Sequence, residues 1–151
     1  MSIVIKKKQN LFFIQMEDLN KVKKLVVDMD DTITVTEHGD YEHSKPIQPT
    51  IDLLKKYKAE GFQIVIHSSR QMRTYEGQVG KINVHTLPNI IKWLTDHEVP
   101  FDEIIVGKPW CGFTGWYIDD KSIRPSEFHS MTSEEIQEML KKEKEYIKSL
   151  V

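Results

Sequence analysis

The 151-residue sequence predicts an α/β fold, a parallel sheet with helices on both faces. Two observations carry that expectation. Apolar runs of strand length alternate with segments of helix length, in the order strand, helix, strand, helix, strand, strand. Each apolar run also ends in residues able to do chemistry, and the carboxyl ends of parallel strands are where open α/β sheets place their ligands.

The first strand is read at Leu25, Val26 and Val27, which pass straight into Asp28, Asp30 and Asp31. Asp28 and Asp30 share a parity along an extended chain, so both can face one point. Two hard oxygen ligands there suit Mg²⁺ and a phosphate. The competing reading is an N-cap or turn cluster, where Asp is common. Next, Ile33 to Thr36 and Tyr41 to His43 flank Glu37-His38-Gly39-Asp40, which predicts a hairpin turned at His38-Gly39. It would stand beside the acids as a small flap, with His38 and His43 as surface residues.

Pro49 to Glu60 predicts a helix. Pro49 suits its first turn, Ile51, Leu54 and Tyr57 form its apolar stripe, and Gly61 ends it. Phe62 to His67 is the second strand and leads into Ser68, Ser69 and Arg70; Arg70 to Ile82 is polar and predicts a loop with a short helical start. Pro88 to His97 predicts a helix with Ile90, Ile91 and Leu94 inward, stopped before Pro100. Phe101 to Gly107 is the third strand and delivers Lys108; Trp116 to Ile118 is expected as a short fourth, delivering Asp119 and Asp120. Thr132 and Glu135 form a capping box that opens a C-terminal helix to Val151. Its face of Ile136, Met139, Leu140, Ile147 and Leu150 is assigned to core packing, as are Trp110, Phe113 and Trp116, with pocket lining as the other reading for those three aromatics. Residues 1–20 read as an N-terminal extension with two short strands, Ser2 to Ile5 and Leu11 to Ile14, and residues 21–151 as one domain.

Composition narrows the class. Hydrophobic residues at 39% and charged residues at 29% fit one globular domain with a real core. A net charge of −2 argues against a nucleic-acid partner, and the lysines at Lys6 to Lys8 and Lys21 to Lys24 read as solvated faces. Cys111 is the single cysteine, which excludes an internal disulfide and fits a reducing compartment. No apolar run is long enough to span a bilayer. The expectation is a cytoplasmic protein with no membrane partner.

The strand ends deliver, in order, Asp28 with Asp30, then Ser68, Lys108, and Asp119 with Asp120. Each residue type has a task in phosphoryl transfer. One carboxylate can attack phosphorus, and a second carboxyl can move the proton. A hydroxyl and an ammonium can hold the charged equatorial oxygens, and further acids can complete an oxygen cage for Mg²⁺. In this order the four motifs resemble those of the haloacid-dehalogenase (HAD) superfamily: Asp28-Met29-Asp30-Asp31-Thr32, Ser68 after Ile64-Val65-Ile66-His67, Lys108 before Pro109, and Asp119-Asp120 after Trp116-Tyr117-Ile118. The resemblance spans about residues 22–128 and implies a Rossmann-like fold. It implies Asp28 as nucleophile and Asp30 as general acid and base. Mg²⁺ would be held by the Asp28 side chain, the Asp30 carbonyl and Asp119, with Asp120 in support. Position 31 is Asp where Gly is frequent in that superfamily, and Ser68 stands where Thr is frequent.

Ser69, Arg70, Arg73 and Arg124, with Lys108, are the candidate substrate-binding residues; for the arginines a solvated-surface reading stands beside that one. The segments between motifs are too short for a large cap domain. The site is therefore expected to be open unless a neighbour in a homo-oligomer covers it. The stretches Gly107 to Gly112 and Asp119 to Pro125 resemble small phosphatases of bacterial capsule and lipopolysaccharide biosynthesis, which implies a phosphorylated sugar or related small metabolite as substrate. A receiver domain of a signalling protein uses similar ingredients in another order, since its phosphoacceptor Asp sits on a later strand. It is the alternative.

Overall fold

The computed structural model describes residues 21–151, which form an α/β arrangement; the two strands expected within residues 1–20 lie outside the described residues. Three strands, β1 (Lys24–Val27), β4 (Gln63–Ser68) and β5 (Glu103–Val106), form a parallel sheet in the order β1-β4-β5. Between β1 and β4 come a small antiparallel pair, β2 (Thr34–Val35) and β3 (Lys45–Pro46), and helix α1 (Gln48–Ala59). Helices α2 (Val79–His85) and α3 (Leu87–Asp96) link β4 to β5, and α4 (Pro125–Ser130) and α5 (Ser133–Lys148) follow β5.

Register explains where the core sits. Leu25 pairs with Ile64 and Val27 with Ile66, while Ile66 pairs with Ile104 and Ser68 with Val106. Alternation puts these apolar residues on one face. They meet Ile51, Leu54 and Tyr57 of α1 and Ile90, Trp93 and Leu94 of α3 in one cluster with Met29 and Ile33. Full burial of an Ile or Leu side chain contributes about 2 kcal/mol, so this cluster sets the orientation of the strand ends. Asp102 locks the layers together: its Oδ2 accepts from the Ile64 amide at 2.7 Å, and its carboxylate pairs with Lys58 of α1. Val26 and Ile105, on the opposite face, are 62% and 46% exposed, so that face is less fully covered than a two-sided arrangement predicts.

The hairpin turns at His38-Gly39 as expected, with φ of 54° and 75°. Its second strand is Lys45–Pro46 and not Tyr41 to His43, because Asp40 draws His43 into a local turn through its side chain. Helix α2 forms where a mostly polar loop was expected; it carries one buried side chain, Ile82, too little apolar signal to be read. Helix α4, also unforeseen, is held by Phe128, which stacks on Tyr57 with ring centroids 5.5 Å apart. The Thr132–Glu135 capping box opens α5 as expected, but only its first turns pack, and Ile147 and Leu150 are 49% and 63% exposed.

The expected fourth strand does not form. Trp116 and Ile118 are 76% and 90% exposed, and Trp110 and Phe113 also face outward and not into the core. The reason is chain length. Nine residues, Gly107 to Gly115, separate β5 from Trp116, whereas a parallel crossover takes roughly a dozen or more. This crossover would also have to pass β4 and β1.

Candidate functional site

Three strand ends gather one group of side chains. Asp28 follows β1, Ser68 ends β4, and Lys108 stands two residues beyond β5. The Lys108 amide donates to the Ser68 carbonyl at 3.1 Å, which carries the strand pairing one step past the sheet. Lys108 Nζ then lies 3.4 Å from Asp28 Oδ2. Burial pushes the Asp28 carboxyl above the usual Asp range, with Lys108 and the Met29 amide acting against it. His67, behind them, is lowered by burial and then by Lys108.

Gly107 makes the turn that aims Lys108. Its φ is +87°, and a Cβ there would lie 2.9 Å from Val79 Cγ2 at the start of α2. Both the backbone and the space call for glycine.

Asp30 sits on a tight turn in which the amides of Ile33 and Thr34 both donate to the Met29 carbonyl, at 2.9 and 3.0 Å. Its Oδ1 takes hydrogen bonds from Arg70 Nη2 at 2.9 Å, Arg70 Nε at 3.1 Å, Thr36 Oγ1 at 3.0 Å and Thr34 Oγ1 at 3.3 Å. Oδ2 receives only Arg70 Nε, at 3.1 Å. Among the described residues, one oxygen of Asp30 is therefore saturated and the other has a single donor.

Arg70 is 3% exposed. Its Nη2 also donates to Thr34 Oγ1 at 3.2 Å, and its guanidinium lies 4.6 Å from the Tyr41 ring. Its amide donates to Ser68 Oγ at 3.1 Å. The structure thus puts Arg70 behind Asp30, buried, and not on the surface facing a ligand. Arg73 is exposed, with its guanidinium 5.9 Å from the Trp110 ring and 5.5 Å from Phe113, at the rim. Tyr117 lies over Lys108, with Nζ 4.3 Å from its ring, and its hydroxyl donates to the Pro109 carbonyl at 2.6 Å. Its phenol is raised by burial and by Cys111, with Ser69 acting against them.

Asp119, Asp120 and Arg124 are not brought to this group. Asp119 and Asp120 are exposed, and Asp119 Oδ1 accepts from the Lys121 amide at 2.7 Å in a local turn. Arg124 precedes α4, where its amide donates to Glu127 at 2.7 Å. Among the described residues no three His, Cys, Asp or Glu side chains converge closely enough to hold a metal ion. The residues present therefore do not fit the expected Mg²⁺ cage. Asp28 and the Asp30 carbonyl are at the right strand end, and the other acids are elsewhere.

With this geometry, a crystal structure of an MCSG target from Vibrio cholerae is similar at 56% sequence identity and a TM-score of 0.79, over 81% of this chain and 99% of that one. The chain belongs to the family of that Vibrio cholerae protein. Two structures of the Pnkp1/Rnl/Hen1 RNA repair complex match at 15% identity with TM-scores of 0.42 and 0.43; they cover 61% and 58% of this chain and 28% of each of those chains. A likeness that distant carries no argument here. No family model matches the chain, and no curated protein does.

Sequence reasoning overlooked the hydroxyl ring around Asp30. Thr36 Oγ1 and Ser44 Oγ share a hydrogen bond at 2.8 Å, and Ser44 is held in turn by Trp93 Nε1, which donates to its carbonyl at 3.0 Å. The signal was present: Thr34 and Thr36 repeat at the two-residue period that puts both on the face of Asp30. No local pattern could have found Ser44, Trp93 or Tyr117. Within this family, no helix of the described residues is long and apolar enough to cross a membrane.

Proposed function

We propose that this chain is a HAD-type phosphomonoester hydrolase that works through an aspartyl phosphate. The observation that carries the proposal is the Asp28 carboxylate, half-buried at a strand end and 3.4 Å from the Lys108 ammonium. A desolvated carboxylate beside a fixed cation is suited to attack an anionic phosphorus centre. The strand-end position, the four motifs in order and the Rossmann-compatible sheet support the same reading.

In the first step an Asp28 oxygen bonds to phosphorus as the bond from phosphorus to the leaving oxygen breaks. The proton that oxygen needs comes from Asp30, whose Oδ2 is the less encumbered oxygen. Lys108 takes the charge of the equatorial oxygens, and the Ser68 hydroxyl, already an acceptor for the Arg70 amide, keeps its own proton to donate to one of them. In the second step water bonds to phosphorus, the Asp28–phosphorus bond breaks, and Asp30 takes the water proton. Mg²⁺ is the cofactor this reading implies; its charge would offset that of the acids and the phosphate.

The substrate class follows from the same resemblance. It is a small phosphorylated sugar or related metabolite of polysaccharide biosynthesis in the cytoplasm, with Arg73 at the rim and Ser69 beside Tyr117 as the side chains available to its non-reacting part. The test is a screen of phosphorylated metabolites with and without Mg²⁺, following phosphate release. Catalytic phosphate release supports the proposal. One stable phosphorylation per chain without release would make the chain a receiver-like phosphoacceptor instead.

A further inference from the structure

The loop after Ser68 carries two arginines, and they have different partners. Arg70 is buried and commits its guanidinium to Asp30. Arg73 is exposed, and among the described residues no acceptor takes its side-chain N–H groups. We infer that Arg73, seated on Trp110 and Phe113, binds a second acidic group on the leaving part of the substrate, which is therefore a phosphomonoester that also carries a carboxylate or another phosphate. The inference rests on the phosphatase reading for where the reacting phosphate lies.

Three observations carry it. The first is how the guanidinium is held. Trp110 and Phe113 pack edge to face with ring centroids 5.2 Å apart, and the Arg73 guanidinium lies 5.9 Å from the first and 5.5 Å from the second. The rings attract its charge and take none of its N–H donors. A cation already held in this way loses less freedom on binding than a solvated one.

The second is the side of the site on which Arg73 stands. Trp110 is two residues past Lys108, which keeps the ring pair within about 7 Å of chain from the residue that takes the phosphate charge. Tyr41 gives the other bearing. Its ring lies on Arg70, the partner of Asp30, and its phenol is raised by burial and then by Asp30, with Arg70 and Arg73 acting against them. Arg73 is thus within electrostatic reach of the phenol that borders Asp30. Asp30 is the acid assigned to the leaving oxygen, so a ligand that extends past it towards Arg73 does so with its leaving part.

The third is charge. The reacting phosphate has its own cation, Lys108, 3.4 Å from Asp28. Transfer of one phosphoryl group leaves Arg73 without a task. A planar guanidinium matches two oxygens of a carboxylate or of a phosphate. A neutral carbon chain would gain only the ring contact and leave that fork in water.

The test uses three probes built on one six-carbon chain, each phosphorylated at the same end. At the other end gluconate phosphate has a carboxylate, sorbitol bisphosphate a phosphate and sorbitol phosphate a hydroxyl. Affinity is measured by titration calorimetry in Asp28→Asn, which cannot turn the probes over. At least one acidic probe should bind about 10- to 100-fold more tightly than the hydroxyl probe, as charge-assisted hydrogen bonds from a fork would give. The acidic probe with the larger ratio names the group. Adding Arg73→Met should bring that ratio to about one, and adding Arg73→Lys, a single-point charge, should keep part of it.

No preference, or no binding of any probe, overturns the inference. So does a preference that Arg73→Met leaves intact. Equal loss of all three probes in Arg73→Met would show the arginine acting through the fold and overturns it too. A wild type that releases phosphate from none of them would defeat the proposed function, while the binding ratio still decides what Arg73 holds.

Discussion

Arg70 Nη2 lies 2.9 Å from Asp30 Oδ1, with Nε 3.1 Å from both Asp30 oxygens, and the arginine side chain is 2% exposed. A buried guanidinium has thus taken as its counter-ion the acid to which the proposed reaction assigns the proton. The fork fixes the carboxylate plane and, among the described residues, leaves Oδ2 with the Arg70 Nε contact alone, which a single-point ammonium cannot do.

Arg70→Lys should therefore lower kcat on the order of 10²-fold with KM little changed, as expected when a reacting group is misplaced by about an ångström. Arg70→Met should also destabilise the fold by about 3–5 kcal/mol, the usual cost of breaking a buried pair. Steady-state kinetics and urea unfolding measure both. A raised KM with kcat preserved would show instead that Arg70 holds substrate.

Asp30→Asn keeps an acceptor for Arg70 and the backbone carbonyl, but cannot carry a proton. A good leaving group such as p-nitrophenolate needs little protonation, so formation of the aspartyl phosphate from it should suffer less than from a sugar phosphate. Water activation should still fall by about 10²–10⁴-fold. The expected trace in rapid mixing is a burst of p-nitrophenol followed by slow turnover. An equal loss of the first step for both substrate types would assign Asp30 a structural role.

Asp28→Asn should abolish turnover and raise stability at neutral pH. Burial raises the Asp28 pKa in the folded chain. Between the ordinary Asp value and the raised one, the folded state keeps a proton that the unfolded state has lost, so stability falls as pH rises through that window. The amide removes this cost. Urea unfolding should find the variant more stable than wild type near neutral pH, with the difference closing at about pH 3. A less stable variant at neutral pH would mean that the lost Lys108 pair outweighs burial. In the wild type, the acid limb of kcat/KM should lie above the ordinary Asp range.

Gly107→Ala should cost stability and activity together, since φ is +87° and the new Cβ would lie 2.9 Å from Val79 Cγ2. Adding Val79→Ala should recover part of both, because it removes the contact and leaves the backbone strain. A double variant no better than the single one would place the whole effect in the backbone.

What could be read from the sequence was what depends on local pattern. Leu25 to Val27, Ile64 to Ile66 and Ile104 to Val106 announced the strands, and the first residues past them announced Asp28, Ser68 and Lys108. Pro49, Gly61 and the Thr132–Glu135 box bounded helices correctly to within a residue or two. The failures lie where distance in space decides. Trp116 to Ile118 has the composition of a strand, but its nine-residue link to β5 is shorter than parallel crossovers usually are. Arg70 read as a substrate-binding or surface cation because nothing in its neighbours says that Thr34, Tyr41 and Ser44 will close over it. Ile147 and Leu150 continue a helical stripe past the end of the surface it packs on.

The hydrogen bonds that run from Trp93 through Ser44 and Thr36 to Asp30 tie the hairpin to α3 and to the acid that the proposed reaction uses for the proton. The hairpin is a strut and not a shutter. Swinging it open would pull Asp30 out of line, so in the proposed reaction substrate would enter without moving the hairpin. At the site a phenol ring rests on an ammonium, Tyr117 over Lys108, and in the proposed reaction that ring would cover the cation that holds the phosphate. Product exit would then be timed by how readily that ring lifts.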